Sequence, residues 1–302
     1  MSLVERALKK LQESRGSAPA STGATASRAA PKSSPPPPAA PRGERPMTPV
    51  ETTRVISIDR EALRRMELLP PANYERQIAS QYQHIKRPLV ASVLNRDPAL
   101  GSTPHIIMMA SALSGEGKTF TSINLALSLA LEKDVEVLLV DADVRKPHVS
   151  RIFGMEKEKG LIDLLTDNAL QPSQVILRTD VPNLSVMPAG QPIETATELL
   201  ASERMRDVAA QLAAPDGRRI VLLDSPPLLM STESIALSTS AGQVVLVVRA
   251  EVTAQQAVKD AIATIASNKP ISLILNQTST PPSAGYYGYG SYGDASPPKD
   301  GA

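Results

Sequence analysis

The chain has 302 residues, with 32 lysine and arginine side chains against 31 aspartate and glutamate, a net charge of +1 and no cysteine. That balance gives no overall field to recruit nucleic acid or anionic lipid, and the missing cysteines exclude disulfides, thiolate nucleophiles and cysteine-bound metal. The three histidines, His84, His105 and His148, show no metal-ligand spacing, and no uninterrupted apolar run reaches the ~18–20 residues of a spanning helix.

Residues 1–15 carry a short helical pattern, with Leu3, Val4, Ala7, Leu8 and Leu11 on one face, fit to dock on another surface. Charges at Glu5, Arg6, Lys9 and Lys10 rule the segment out as a signal peptide. Residues 16–55 are rich in proline, alanine and serine and are predicted to form a disordered linker. An ordered domain is expected over 56–277. It opens on a predicted helix at 72–90, where Ile78, Tyr82 and Ile85 recur at helical spacing. From 105 onward six apolar runs alternate with helical stretches: 105–111, 135–141, 183–189, 218–224, 243–249 and 271–277. Near-continuous apolar strands between helices predict an α/β fold, a parallel β-sheet with helices on both faces and ligand at the carboxyl ends of its strands. Residues 278–302, rich in glycine, serine, tyrosine and proline, are expected to be a flexible tail.

The first of these strands runs into SGEGKTF (114–120) and then a helix. Gly115 and Gly117 let the backbone approach an anion, Lys118 adds a point charge and Thr119 offers a hydroxyl of the kind that holds Mg²⁺. The usual glycine five positions before the lysine is Ala112 here, a small residue that the loop tolerates. Two further strands end in aspartate: LLVDADVRKP (138–147) presents Asp141 and Asp143, and IVLLDSPP (220–227) presents Asp224. With Thr119 these form an oxygen-rich set suited to Mg²⁺, although a strand-end aspartate can also merely cap the following helix.

In these three boxes and in the tyrosine-rich YYGYGSYGD (286–294), the chain resembles the bacterial tyrosine kinases of exopolysaccharide systems, relatives of the MinD/ParA P-loop ATPases. The resemblance covers roughly residues 70–294, and the opening MSLVERALKKL is similar to the exosortase-associated branch. It implies a P-loop NTPase fold of the MinD/ParA-like type and a kinase domain over 56–277. It also implies ATP and Mg²⁺ as cofactors, with nucleotide contacts along Ser114, Gly115, Glu116, Gly117, Lys118, Thr119 and Phe120, and Asn276 near the adenine. Thr119, Asp143 and Asp224 would serve the metal, and Asp141 would stand nearest the attacking phenol. The sequence alone leaves Asp141 and Asp143 free to exchange roles.

Tyr286, Tyr287, Tyr289 and Tyr292 fall within seven residues and are expected as phosphoacceptors, in preference to a sticky aromatic tail or a nucleic-acid stacking surface. The implied protein is a cytoplasmic tyrosine autokinase regulating exopolysaccharide polymerisation or export. It would lie at the inner membrane through a separate Wzz-like chain-length-determinant activator and form a homo-oligomer, with no nucleic-acid partner and no direct membrane insertion. Three features depart from the family pattern: Ser114 replaces a common proline, Leu113 stands where ParA-type members carry a lysine, and the oligomerisation helix is degenerate. Only Arg87 survives of a basic oligomerisation pattern aligned on Gln81, His84 and Arg87. The rivals are a MinD/ParA-like ATPase switch and a non-catalytic nucleotide-sensing scaffold.

Overall fold

The computed structural model describes residues 55–94, 103–213, 218–265 and 269–278. The expected N-terminal helix, nearly all of the linker and the tyrosine tail lie outside the described residues. Strand β1 (Val55–Ile56) precedes helices α1 (Arg60–Arg65) and α2 (Glu75–Leu94). The chain continues through β2 (Ile106–Ser111), α3 (Lys118–Leu129), β3 (Glu136–Asp141), α4 (His148–Ile152) and α5 (Leu161–Thr166). Then come β4 (Leu177–Thr179), β5 (Leu184–Met187), α6 (Ala196–Ala201) and α7 (Glu203–Leu212). The last elements are β6 (Arg219–Asp224), α8 (Thr232–Ser240), β7 (Gln243–Arg249), α9 (Gln255–Thr264) and β8 (Ile271–Asn276).

These strands form one eight-stranded sheet in the order β1-β4-β5-β3-β6-β2-β7-β8. All six predicted strands are present in it. Every side chain of β2 is buried, and alternate residues enter opposite layers: Ile106, Met108 and Ala110 on one face, Ile107 and Met109 on the other. Helices α5 to α9 cover the first layer and α2 and α3 the second. This two-sided burial, worth roughly 1.5–3 kcal/mol for each large aliphatic side chain, is why the strands read as apolar runs instead of alternating ones.

The sheet departs from the expectation in two respects. The pair β4–β5 is antiparallel, so the sheet is mostly but not wholly parallel. Both β1 and β4 went unread, because segments of two and three residues carry no measurable period. The edge strand β8 is also incompletely covered, with Leu273 59% and Leu275 63% exposed. Helix α2 extends past the predicted 90 to Leu94, straight through Pro88. Burial of Leu89 and Val93 offsets the hydrogen bond that proline removes. Lys86 on the same helix is buried, donating to the Ser128 carbonyl at 2.8 Å and pairing with Glu132 at 2.7 Å. It thereby fastens α2 to the C-terminal end of α3, where the helix dipole favours a cation.

Candidate nucleotide-binding site

The chain leaves β2 at Ser111 and turns through Gly115 and Gly117 into α3. Both glycines are left-handed, at φ +81° and +87°. Gly117 caps α3 without any side-chain hydrogen bond, so the first N–H groups of the helix remain open to an anion. A side chain at Gly117 would also collide with Asn276, whose Nδ2 lies 2.1 Å from the site of a Cβ. Ala112, at the usual glycine position, is fully buried in the core, consistent with a small residue there.

The loop is braced from within. Glu116 is buried and its carboxylate accepts the Leu113 N–H at 2.8 Å and the Thr253 hydroxyl. Asn276 at the end of β8 donates from Nδ2 to the Glu116 carbonyl at 2.9 Å. Glu116 and Asn276 therefore clamp the loop to the β7–α9 turn and to β8. Leu113, at the position of the ParA-type lysine, is partly exposed.

Sheet register brings the aspartates together. Asp224 lies opposite Asp141 on β3 and opposite Met109 on β2. It is fully buried; Oδ1 accepts from Lys118 Nζ at 3.1 Å and Ser122 Oγ at 2.8 Å, while Oδ2 accepts from Thr119 Oγ1 at 2.8 Å. Asp141 is also fully buried, and its Oδ2 accepts both the N–H and the hydroxyl of Ser150, at 2.7 and 2.8 Å. Its Oδ1 is buried without a hydrogen-bond partner. Burial pushes the Asp141 carboxyl up to about 7, with the charges of Asp224 and Asp143 adding and the Ser150 hydrogen bonds opposing. Asp143 accepts the Lys146 N–H at 3.1 Å; burial raises its carboxyl too, against the pull of that N–H and of Lys118.

A cleft of about 540 Å³ runs along Ser114, Gly115, Glu116, Gly117, Lys118, Thr119 and Phe120, within the size range of small-ligand sites. Its far wall includes Asp143, Arg145, Lys146 and His148. Asp141, Asp224 and Asn276 are not among its lining residues: Asp224 lies directly behind Lys118 and Thr119 and holds both, Asn276 holds Glu116, and Asp141 holds Ser150, outside the cleft. The acceptor tyrosines lie outside the described residues. On α2, Gln81 is half-buried while His84 and Arg87 are exposed. Sequence reasoning missed Ser122, Ser150, Arg145 and Lys146. Ser122 was legible as the residue one turn after Lys118, and the two cations as part of the ADVRKP box.

Among the described residues no cluster of three or more histidine, cysteine or acidic side chains is placed to hold a metal by itself. Mg²⁺ takes one or two carboxylates and completes its octahedron with phosphate and water. Thr119 and Asp224, in contact at 2.8 Å beside an uncapped helix N-terminus, fit that partial donor set.

A glycine turn, a buried lysine and strand-end aspartates at the carboxyl edge of a mostly parallel sheet define a P-loop nucleotide-binding protein. The AAA domain family matches residues 104–275. The chain is 33% identical over 190 residues to a tyrosine-protein kinase named EpsB from Ralstonia nicotianae, covering 62% of this chain and 24% of that one. It is 33% identical over 187 residues to the tyrosine-protein kinase YwqD of Bacillus subtilis, covering 60% of this chain and 77% of that one. The kinase domain of the Escherichia coli tyrosine kinase ETK superposes with a TM-score of 0.53 at 30% identity, over 62% of this chain and 72% of that one. The VpsO kinase domain superposes with a TM-score of 0.55 at 26% identity, over 69% and 100%. The chain belongs to the AAA domain family and, with these relatives, to the bacterial tyrosine kinases. It spans about a quarter of the length of EpsB.

Proposed function

We propose that the chain is an ATP–Mg²⁺-dependent protein tyrosine autokinase whose acceptors are Tyr286, Tyr287, Tyr289 and Tyr292. The observation that carries this reading is the meeting, in one cleft, of the open N-terminus of α3, Lys118, Thr119 and Asp143. Family membership supports tyrosine as the acceptor. The partly exposed Leu113, in place of a lysine, counts against a ParA-type ATPase switch.

In this reading the loop N–H groups from Gly115 to Thr119 and the Lys118 ammonium hold the terminal phosphates. Thr119, backed by Asp224, would hold Mg²⁺, which would supply neutralisation of phosphate charge. Lys118 is already within 3.1 Å of Asp224, so its charge is oriented before nucleotide arrives. We assign the phenol proton to Asp143, because its carboxylate lines the cleft while Asp141 is sealed behind it. A tyrosine of ordinary pKa ~10 needs such an acceptor. This moves the acceptor role expected of Asp141 to Asp143 and leaves Asp141 to anchor the turn through Ser150.

The same reading includes regulation of exopolysaccharide polymerisation or export, in the manner of the exosortase-associated branch. A separate Wzz-like membrane protein acts as activator and membrane tether, and copies of the chain assemble with one another. Among the described residues no helix is long and apolar enough to cross a membrane. The test is incubation of purified protein with γ-labelled ATP and Mg²⁺, followed by mapping of labelled residues. Label on the four tail tyrosines is expected, rising when the activator's cytoplasmic segment is added. Nucleotide hydrolysis with no labelled tyrosine would replace the kinase reading by an ATPase switch.

A further inference from the structure

Arg145 follows Asp143 by two residues and lines the nucleotide cleft. It also lines a second depression of about 390 Å³, walled by Leu228, Leu229, Met230 and Ile235, so it stands on the boundary between the two spaces. Its Nε lies 2.6 Å from Glu233 Oε1 on α8. The pair is asymmetric: the arginine side chain is 73% exposed and the glutamate only 3%. Two solvated partners in a surface ion pair contribute little. A carboxylate this deeply buried is a fixed anchor, held on its other oxygen by the Ser231 hydroxyl. The contact to Glu233 uses Nε, so it does not consume the terminal amino groups of the guanidinium.

The charge inventory of the cleft gives this arginine a task. Lys118 is the single cation of the glycine loop and is engaged by Asp224; the opposite wall adds Arg145 and Lys146, and of these Arg145 is the one paired with a buried carboxylate. Phosphoryl transfer spreads negative charge over three non-bridging oxygens and relies on fixed positive charge to stabilise it. We propose that Glu233 is a positioning residue that holds Arg145 at the transfer end of the cleft, where the guanidinium neutralises the phosphoryl group in passage to the acceptor. This rests on the kinase reading above and deepens it. In the transfer, the bond from phenol oxygen to phosphorus forms as the bond from phosphorus to the bridging oxygen of ATP breaks. ADP leaves and the phenol proton passes to Asp143. Arg145 takes part in neither bond. Because Glu233 holds it beforehand, little reorganisation is needed when the charge develops.

The experiment uses the full chain, comparing wild type with R145A, R145K, E233Q and the R145A/E233Q double variant. Affinity for Mg·ADP is measured with and without aluminium fluoride, a planar anionic mimic of the transferring group, beside kcat and KM for tyrosine phosphorylation. For R145A, Mg·ADP affinity and the KM for ATP should stay within about threefold of wild type. The affinity gained from fluoride should fall ~30–100-fold and kcat ~100–1,000-fold, at or below the effect of known arginine fingers. E233Q should lose about tenfold in both readouts, R145K should fall between, and the double variant should be no worse than R145A, since the glutamate acts through the arginine. Unchanged fluoride-dependent affinity in R145A, or a double variant equal to the product of the singles, overturns the proposal. Should E233Q not fold, the exposed-site variants R145A and R145K decide alone. If wild type labels no tyrosine but R145A loses the fluoride-dependent affinity, the kinase reading fails and the phosphate clamp stands. If wild type and R145A label tyrosine at equal rates, the clamp alone fails.

Discussion

Alanine at Gly117 and alanine at Gly115 separate two costs that the loop imposes. Both residues are left-handed, so either substitution incurs the roughly 1–2 kcal/mol of a side chain in that region. At Gly115 no atom lies within 4 Å of the added Cβ, and the conformational cost is the whole cost. At Gly117 the Cβ would sit 2.1 Å from Asn276 Nδ2, so Asn276 must move and release its 2.9 Å hydrogen bond to the Glu116 carbonyl. Overpacking and the lost hydrogen bond add about 2–4 kcal/mol. At about 2–4 °C per kcal/mol for a domain of this size, Gly115→Ala should lower Tm by roughly 2–8 °C and Gly117→Ala by roughly 6–24 °C. Thermal unfolding by circular dichroism reads both. Adding Asn276→Ala to Gly117→Ala should recover much of the difference, because it removes the obstructing amide. Equal losses at the two glycines, or no recovery in the double variant, would refute the claim that Asn276 packs on the loop.

Lys118→Met should lower tyrosine phosphorylation by orders of magnitude while leaving the circular dichroism spectrum unchanged, since Thr119 and Ser122 still donate to Asp224. Asp143→Asn should abolish transfer with nucleotide affinity kept within about threefold, checked by fluorescence titration, because the proton acceptor is lost and the phosphate cradle is not. In metal- and nucleotide-free protein, Asp141 rises from 3.8 to about 7 on folding, so its protonated form favours the fold. That contribution is fully present below pH ~4 and is lost as pH rises through ~7; Asp141→Asn should gain up to about 4 kcal/mol over wild type above pH ~7 and nothing near pH ~4, read from denaturant melts across that range. Lys86→Met should cost about 1–3 kcal/mol in the same melts, through the unsatisfied Ser128 carbonyl and the lost Glu132 pair. Phosphorylation of the four tail tyrosines adds about −1.5 to −2 charges each and should shrink assemblies relative to the Tyr286/Tyr287/Tyr289/Tyr292→Phe protein by native mass measurement.

The cradle and the core strands were legible in the sequence because their chemistry is local. Glycine is favoured where φ turns positive beside an anion, a lysine and a threonine follow it directly, and a strand buried on both faces has to be apolar along its length. What each aspartate faces was not legible. Asp141 and Asp143 are two residues apart and chemically identical, yet Ser150 seals one behind the wall while the other lines the cleft. That Asn276 braces the loop was not legible either, since its partner, the Glu116 carbonyl, lies 160 residues away in the chain. Arg145 passed as part of a motif until α8 brought Glu233 against it. Short strands such as β4, which lies between the edge strand β1 and β5, carry no period to detect, and their pairing is decided by the strands already in place. Sequence determined the local chemistry of the phosphate loop and where six of the strands lie along the chain. Tertiary structure decided which polar groups face the cleft, because access and burial are set by neighbours distant in sequence, whose approach depends on the packing of the whole sheet.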